Sequence, residues 1–174
     1  LAVGPALTYG VVGLAIVGFG ATGIRWNALS ALAALAGAVA LLVVYRRMRE
    51  RQRDARSADR TGRPDWPALA AGAGVLLGAA AIGYAAWRGM PHWQSIPSNW
   101  DAVWHANTIR WILDTGQASP THVGELRNVE TQAALYYPSA FHALAAVLAQ
   151  LTGAAPTTAY TLSALAAAIW LFPL

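Results

Sequence analysis

The chain has 174 residues, of which 56% are hydrophobic and 11% charged, and it contains no cysteine. Soluble domains usually carry about 25% charged residues, so this composition excludes an ordinary soluble domain, and the lack of cysteine excludes disulfides and thiolate metal sites. The formal net charge of +4 does not indicate nucleic-acid binding, because eight of the arginines fall between residues 46 and 65. We expect an all-α integral membrane protein, a helical bundle with about five hydrophobic helices and no nucleic-acid partner.

The first part of the chain contains three predicted membrane spans. Residues 1–45 form two uncharged apolar stretches around the polar break at Arg25, Trp26 and Asn27, and they predict a transmembrane hairpin with Trp26 at the membrane interface. Residues 46–66 form a loop rich in arginine, and residues 67–88 predict the third span. Because basic residues in short loops stay in the cytoplasm, the segment from Arg46 to Asp65 is expected there, in a multi-pass protein of the cell membrane.

The second part of the chain begins on the extracytoplasmic side in this orientation. Residues 89–137 form the main non-membrane segment, and within them residues 98–114 predict a short amphipathic helix with Ser98 or Asn99 as its N-cap. Residues 138–174 predict two further membrane helices, and the sequence stops inside an apolar run. We therefore expect a fragment whose partners include the remainder of its own longer chain.

Two polar side chains of the predicted amphipathic helix point in one direction. Asp101 and His105 are four residues apart, which places them on one helix face between two apolar flanks. Three interpretations are open for this pair: a metal or acid–base site, a structural contact in which Asp101 orients the imidazole, and a solvated face without a role. Arg110 and Asp114 lie behind this face with the same spacing and predict an ion pair.

An ionisable residue, His142, lies about one turn inside the helix that opens at Pro138. Placing an ionisable histidine at that depth in the membrane costs free energy unless the side chain faces a cavity or a partner. The alternative interpretation is a neutral imidazole at the level of the lipid headgroups. The aromatic residues nearby, among them Trp104 and Tyr137, are typical of a membrane interface. Their rings can also stack on a sugar.

Two motifs in this region resemble a known group of proteins. The run Asn99-Trp-Asp101-Ala-Val-Trp-His105 and the later run Tyr136-Tyr137-Pro-Ser-Ala-Phe-His142 are similar to patterns in a family of large actinobacterial polytopic membrane proteins. Most of that family is uncharacterised. Its layout is similar to that of the GT-C glycosyltransferases, which include arabinosyl- and mannosyltransferases of the mycobacterial envelope.

The resemblance to GT-C enzymes implies a specific chemistry. The donor would be a sugar on polyprenyl phosphate, and the acceptor an envelope polysaccharide or glycolipid. Asp101 matches the acid that takes the proton of the acceptor hydroxyl, so Asp101 and His105 are the catalytic candidates and also the candidate ligands of a divalent metal, Mg²⁺ or Mn²⁺. His105 and His142 are candidates to bind the lipid phosphate, which makes His142, Tyr137 and Trp104 the candidate substrate-binding residues.

The sequence departs from the GT-C pattern at both motifs. Asp101 stands alone where those enzymes often carry two neighbouring acids, and Ser139 and Ala140 stand where Pro-Gly is more usual. The departures bear on catalysis more than on the fold. The alternative function is a non-enzymatic polytopic membrane protein, either a transporter or an assembly partner for envelope lipids. The lipid bilayer is a partner in both cases.

Overall fold

The computed structural model describes residues 4–51, 66–127, 130 and 135–171. Over these residues the chain is all-helical, as predicted. Most of the arginine-rich loop, from residue 52 to 65, lies outside the described residues, as do residues 128–129 and 131–134. The elements are α1 (Gly4–Thr22), α2 (Ala28–Arg51), α3 (Trp66–Gly89), α4 (Trp100–Thr115), a short 3-10 helix (Val123–Arg127), α5 (Ala140–Thr152) and α6 (Pro156–Leu171).

Three of these helices are long and apolar enough to cross a membrane, namely α1, α2 and α3. At 1.5 Å per residue, the 24 residues of α3 extend about 36 Å, compared with about 30 Å for a hydrocarbon core. The helices α1, α2 and α3 coincide with the three membrane spans predicted before residue 89. The helix α2 continues to Arg51, beyond the predicted end of its apolar stretch at Tyr45, because residues 46–51 contain no Gly or Pro.

The two remaining apolar helices are shorter. The 13 residues of α5 extend about 20 Å and the 16 residues of α6 about 24 Å, so neither reaches the thickness of a hydrocarbon core. Five residues of α5 are buried, and four of them are alanines (His142, Ala143, Ala145, Ala146, Ala149). Small residues at these positions let neighbouring helices approach closely.

The core lies where α4 and α5 pack together, with α1 and α6 against them. Trp26, expected at the membrane interface, is instead only 2% exposed. Its indole Nε1 donates a hydrogen bond to the carbonyl oxygen of Ala143 at 2.9 Å, and its backbone N–H donates to Gly116 at 2.7 Å. The short break between α1 and α2 therefore enters the core and joins the end of α4 to the first turn of α5.

The end of α4 is fixed by a glycine. Gly116 adopts φ +73°, which a residue with a side chain rarely does, and its N–H bonds to the carbonyl oxygen of Ile112 at 2.8 Å. A Cβ at this position would also meet the side chain of Arg25. Arg25 in turn donates from Nη2 to the carbonyl oxygen of Asp114 at 3.1 Å. These contacts set the direction in which α4 carries its side chains.

Candidate functional site

The helix α4 presents Asp101 and His105 together at its N-terminal end. Of the two predicted caps, Asn99 is the N-cap: its Oδ1 accepts a hydrogen bond from the backbone N–H of Ala102 at 2.8 Å. Asp101 therefore lies in the first turn, and its Oδ2 is 3.4 Å from Nε2 of His105. The Asp101 side chain is 83% exposed, whereas that of His105 is 18% exposed.

The helix α5 brings His142 against His105 from the other side. Ser139 comes just before α5 and donates from its hydroxyl to the carbonyl oxygen of Ala118 at 2.6 Å, which ties the start of α5 to the segment that follows α4. Nε2 of His142 lies 2.6 Å from Nδ1 of His105, and the two rings are stacked with centroids 4.9 Å apart. His142 is 2% exposed. Asp101, His105 and His142 thus form a connected series from the surface to the core.

Trp104 and Tyr137 complete the set of predicted site residues. The ring of Trp104 meets the rings of His105 and His142 edge-on, each at 5.4 Å between centroids. Tyr137 packs against Trp104 at 4.2 Å, held by a hydrogen bond from its N–H to the carbonyl oxygen of Pro120 at 2.9 Å. All five side chains singled out from the sequence are brought into one cluster.

Two aromatic residues of the cluster were not among the predicted site residues. Tyr160 of α6 stacks on His105 with centroids 5.5 Å apart and planes 14° from parallel. Phe141 meets both His105 and Tyr160 edge-on, at 6.1 Å in each case. Phe141 could have been found as the neighbour of His142 within the quoted motif. Tyr160 carries no local signal, because only the packing of α6 against α4 brings it to the imidazole.

Burial determines the charge of the His142 imidazole. Burial, and secondly the proximity of His105, lower the pKa of the His142 imidazole from 6.5 to about 3. His142 is therefore neutral near pH 7 and carries one N–H. Its Nδ1 has no hydrogen-bond partner among the described residues. With the proton on Nε2, His142 donates to Nδ1 of His105, and the N–H of His105 is then on Nε2, which faces Asp101.

A cleft of about 340 Å³ opens in front of the series. Its lining residues are Trp100, Asp101, Trp104 and Tyr137. Trp100 is 91% exposed and gives the cleft a free indole face. His142 is 2% exposed and does not line the cleft, so a direct contact with a lipid phosphate would require its ring to be uncovered.

The donor set at the cleft fits a divalent cation poorly. Within the described part of the chain, no three His, Cys, Asp or Glu side chains lie close enough to hold a metal ion together. Mg²⁺ and Mn²⁺ favour several oxygen ligands. Here a single carboxylate adjoins an imidazole, that of His105, whose two nitrogens face Asp101 and His142. The Mg²⁺ or Mn²⁺ site stays a prediction, and the chemistry proposed for the cleft uses the protein's own groups.

Comparison with known proteins identifies a family whose function is unknown. No curated protein and no solved structure matches the chain significantly. A family described only as a family of unknown function matches it from residue 1 to residue 174. All the described helices and the whole Asp101–His105–His142 series fall inside that match. The chain belongs to this family of unknown function (DUF6541).

Proposed function

We propose that the protein is a GT-C-like membrane glycosyltransferase that transfers a sugar from a polyprenyl-phosphate donor to a hydroxyl of an envelope polysaccharide or glycolipid. The single observation that carries the proposal is an exposed carboxylate, Asp101, which lines an aromatic cleft and lies 3.4 Å from His105, an imidazole that is itself hydrogen-bonded to His142. A positioned base beside a sugar-stacking surface is what attack by a sugar hydroxyl requires.

The proposed step is a displacement at the anomeric carbon of the donor sugar. The acceptor oxygen forms a bond to that carbon while the bond from the carbon to the phosphate oxygen breaks, and polyprenyl phosphate leaves with the bonding electron pair. The hydroxyl proton passes to the Asp101 carboxylate. The His105 imidazole, 3.4 Å away, orients this carboxylate towards the cleft, and His142 fixes the His105 ring and its tautomer.

The aromatic wall supports a sugar as the substrate. Sugars present faces of C–H groups that pack against flat rings, and the exposed indole of Trp100 and the side of Trp104 offer such surfaces beside Asp101. Pockets of this kind combine aromatic walls with a few polar groups that set orientation. In this arrangement Trp104 and Tyr137 contact the sugar, and His142 is a positioning residue.

The proposal includes an orientation in the cell membrane. The arginine-rich segment from residue 46 to 65 lies in the cytoplasm according to the positive-inside rule. The helix α3 then carries the chain across, so that α4 and the cleft lie on the extracytoplasmic side. A lipid-linked sugar can reach the cleft there from the outer leaflet.

The test is a transfer assay on the protein in membranes, with radiolabelled polyprenyl-phosphate sugars and envelope acceptors. We expect Asp101→Asn to lower the transfer rate by about 10²- to 10⁴-fold, the usual contribution of a general base. The matched control is Asp114→Asn, which removes an exposed carboxylate from the other end of the same helix. It should transfer at the wild-type rate.

Two outcomes would contradict the proposal in different ways. Full transfer by Asp101→Asn would show that this carboxylate is not the base. Failure of the correctly inserted wild-type protein to transfer any of a broad set of sugars would leave the non-enzymatic alternative, a transporter or an assembly partner for envelope lipids.

A further inference from the structure

A second cleft, of about 460 Å³, lies at the end of α3. Its lining combines a cation and an imidazole with two indole rings (Trp87, Arg88, Met90, Pro91, His92, Trp93). The helix α3 is long and apolar enough to cross a membrane, and in a spanning helix this end would lie at the membrane boundary. Indole rings and arginine are the groups that proteins place at the level of lipid headgroups.

Among the described residues, no carboxylate forms an ion pair with the Arg88 guanidinium. Within the described part of the chain, the two ion pairs join Asp101 to His105 and Asp114 to Arg110. The His92 ring is held by a contact of 3.3 Å between its Nδ1 and the Ser95 hydroxyl. When that hydroxyl donates, the Nε2–H of His92 is left for a ligand. An arginine and an N–H donor in one cleft suit a phosphate group.

An apolar groove of about 350 Å³ adjoins this cleft and shares two of its lining residues, Met90 and Pro91. The groove runs between the segment that follows α3 and the side of α6, where Tyr160 and Ala164 line it. Its two sides are joined by a hydrogen bond from the Thr161 hydroxyl to the carbonyl oxygen of Ser95 at 3.1 Å. This bond connects the segment after α3 to α6 along the groove.

We propose that the cleft and the groove together bind one anionic phospholipid of the surrounding bilayer. Its phosphate would contact Arg88 and His92, and the first part of one acyl chain would lie in the groove beside Tyr160. The argument rests on the continuity of a cationic cleft with an apolar groove at a membrane boundary, which matches a ligand with a charged head and an apolar chain.

A bilayer lipid fits this site better than the proposed sugar donor. In a polyprenyl-phosphate sugar, the phosphate is bonded directly to the carbon that must react near Asp101. The cleft at Asp101 shares no lining residue with the cleft at Arg88 or with the groove. The lipid site is therefore separate from the proposed active site. Tyr160 links the two sites, because it lines the groove and its ring stacks on His105.

The test measures lipid binding to the purified, delipidated protein by native mass spectrometry. Dioleoyl phosphatidylglycerol is the anionic probe, and dioleoyl phosphatidylcholine is the probe without net charge. We expect the wild type to retain one phosphatidylglycerol in preference to phosphatidylcholine. Arg88→Gln should weaken phosphatidylglycerol binding about tenfold, the effect of losing one charge-assisted contact. Ala164→Phe, which fills the groove, should weaken binding of both lipids.

The matched control is Arg110→Gln, which removes another exposed guanidinium outside both clefts and should bind phosphatidylglycerol as the wild type does. Circular dichroism of each variant shows that it is folded. Equal binding by Arg88→Gln and the wild type would overturn the proposal, as would equal affinity of the wild type for the two lipids. Displacement of phosphatidylglycerol by an equimolar prenyl phosphate would overturn the choice of occupant. None of these results depends on sugar transfer.

Discussion

The helices α3 and α5 are both apolar, but they are held in different ways. No residue of α3 is buried, and large side chains such as Leu76 are 72% exposed. The helix α5 is about half as long, yet it buries His142 and four alanines against its neighbours. An apolar surface facing lipid needs only composition and length, whereas a packed face needs particular side chains in contact. Substitutions should therefore be tolerated along α3 and costly around α5.

The largest expected effect comes from the side chain that anchors α5. Trp26→Ala removes an indole that is 2% exposed and leaves the carbonyl oxygen of Ala143 without its donor. Truncation of a buried aromatic residue typically costs about 3–5 kcal/mol. Denaturant unfolding of the protein in detergent micelles measures this loss. The control is Trp100→Ala, which removes an indole that is 91% exposed and should leave the unfolding midpoint unchanged.

An unchanged midpoint for Trp26→Ala would contradict the comparison between the two helices. It would show that the break between α1 and α2 does not contribute to the core. Trp26 would then belong at the membrane interface, as its sequence position suggested.

The second effect is a dependence of stability on pH that comes from His142. Because the folded protein lowers the pKa of this imidazole to about 3, the unfolded chain takes up a proton near pH 6.5 and the folded protein does not. Stability should be full above pH 6.5 and should fall as the pH falls below it, by about 2 kcal/mol between pH 6.5 and pH 5. His142→Gln, which has no ionisable group, should lose this part of the acid sensitivity.

The measurement is the unfolding free energy of wild type and His142→Gln at a series of pH values. The other two members of the series, Asp101 and His105, are present in both proteins, so only the difference between the two curves reports on His142. Parallel curves would show that the imidazole is not held in its neutral form. The ring would then be more accessible to a phosphate than its 2% exposure indicates.

The sequence predicted the features that depend on neighbours along the chain. Long uncharged stretches predicted α1, α2 and α3, because hydropathy and length are enough for a membrane span. The helical period predicted that Asp101 lies beside His105, and Asn99 was one of the two residues predicted as the N-cap of this helix. The ion pair of Arg110 with Asp114, at 2.8 Å, was predicted from the same spacing.

The sequence did not predict the contacts that depend on packing. His105 and His142 are 37 residues apart, and their hydrogen bond exists because Ser139 ties α5 to the segment after α4. Trp26 was misplaced for the same reason, since a tryptophan between two apolar stretches has the same local signal at an interface and in a core. Tyr160 joins the cluster only through α6.

The smallest expected effect is at the exposed face of α3. Leu76→Ala shortens a side chain that is 72% exposed, so it replaces one contact with lipid or detergent by a smaller contact of the same kind. Without a cavity in the protein, the unfolding free energy should change by no more than about 0.5 kcal/mol. Denaturant unfolding in the same micelles measures it, with circular dichroism as the check that α3 is still helical. A loss above about 2 kcal/mol would have the size of a buried leucine. It would mean that this face of α3 packs against another part of the protein. Both α3 and α5 would then be held by contacts with protein, and they would differ only in which part of the protein they contact.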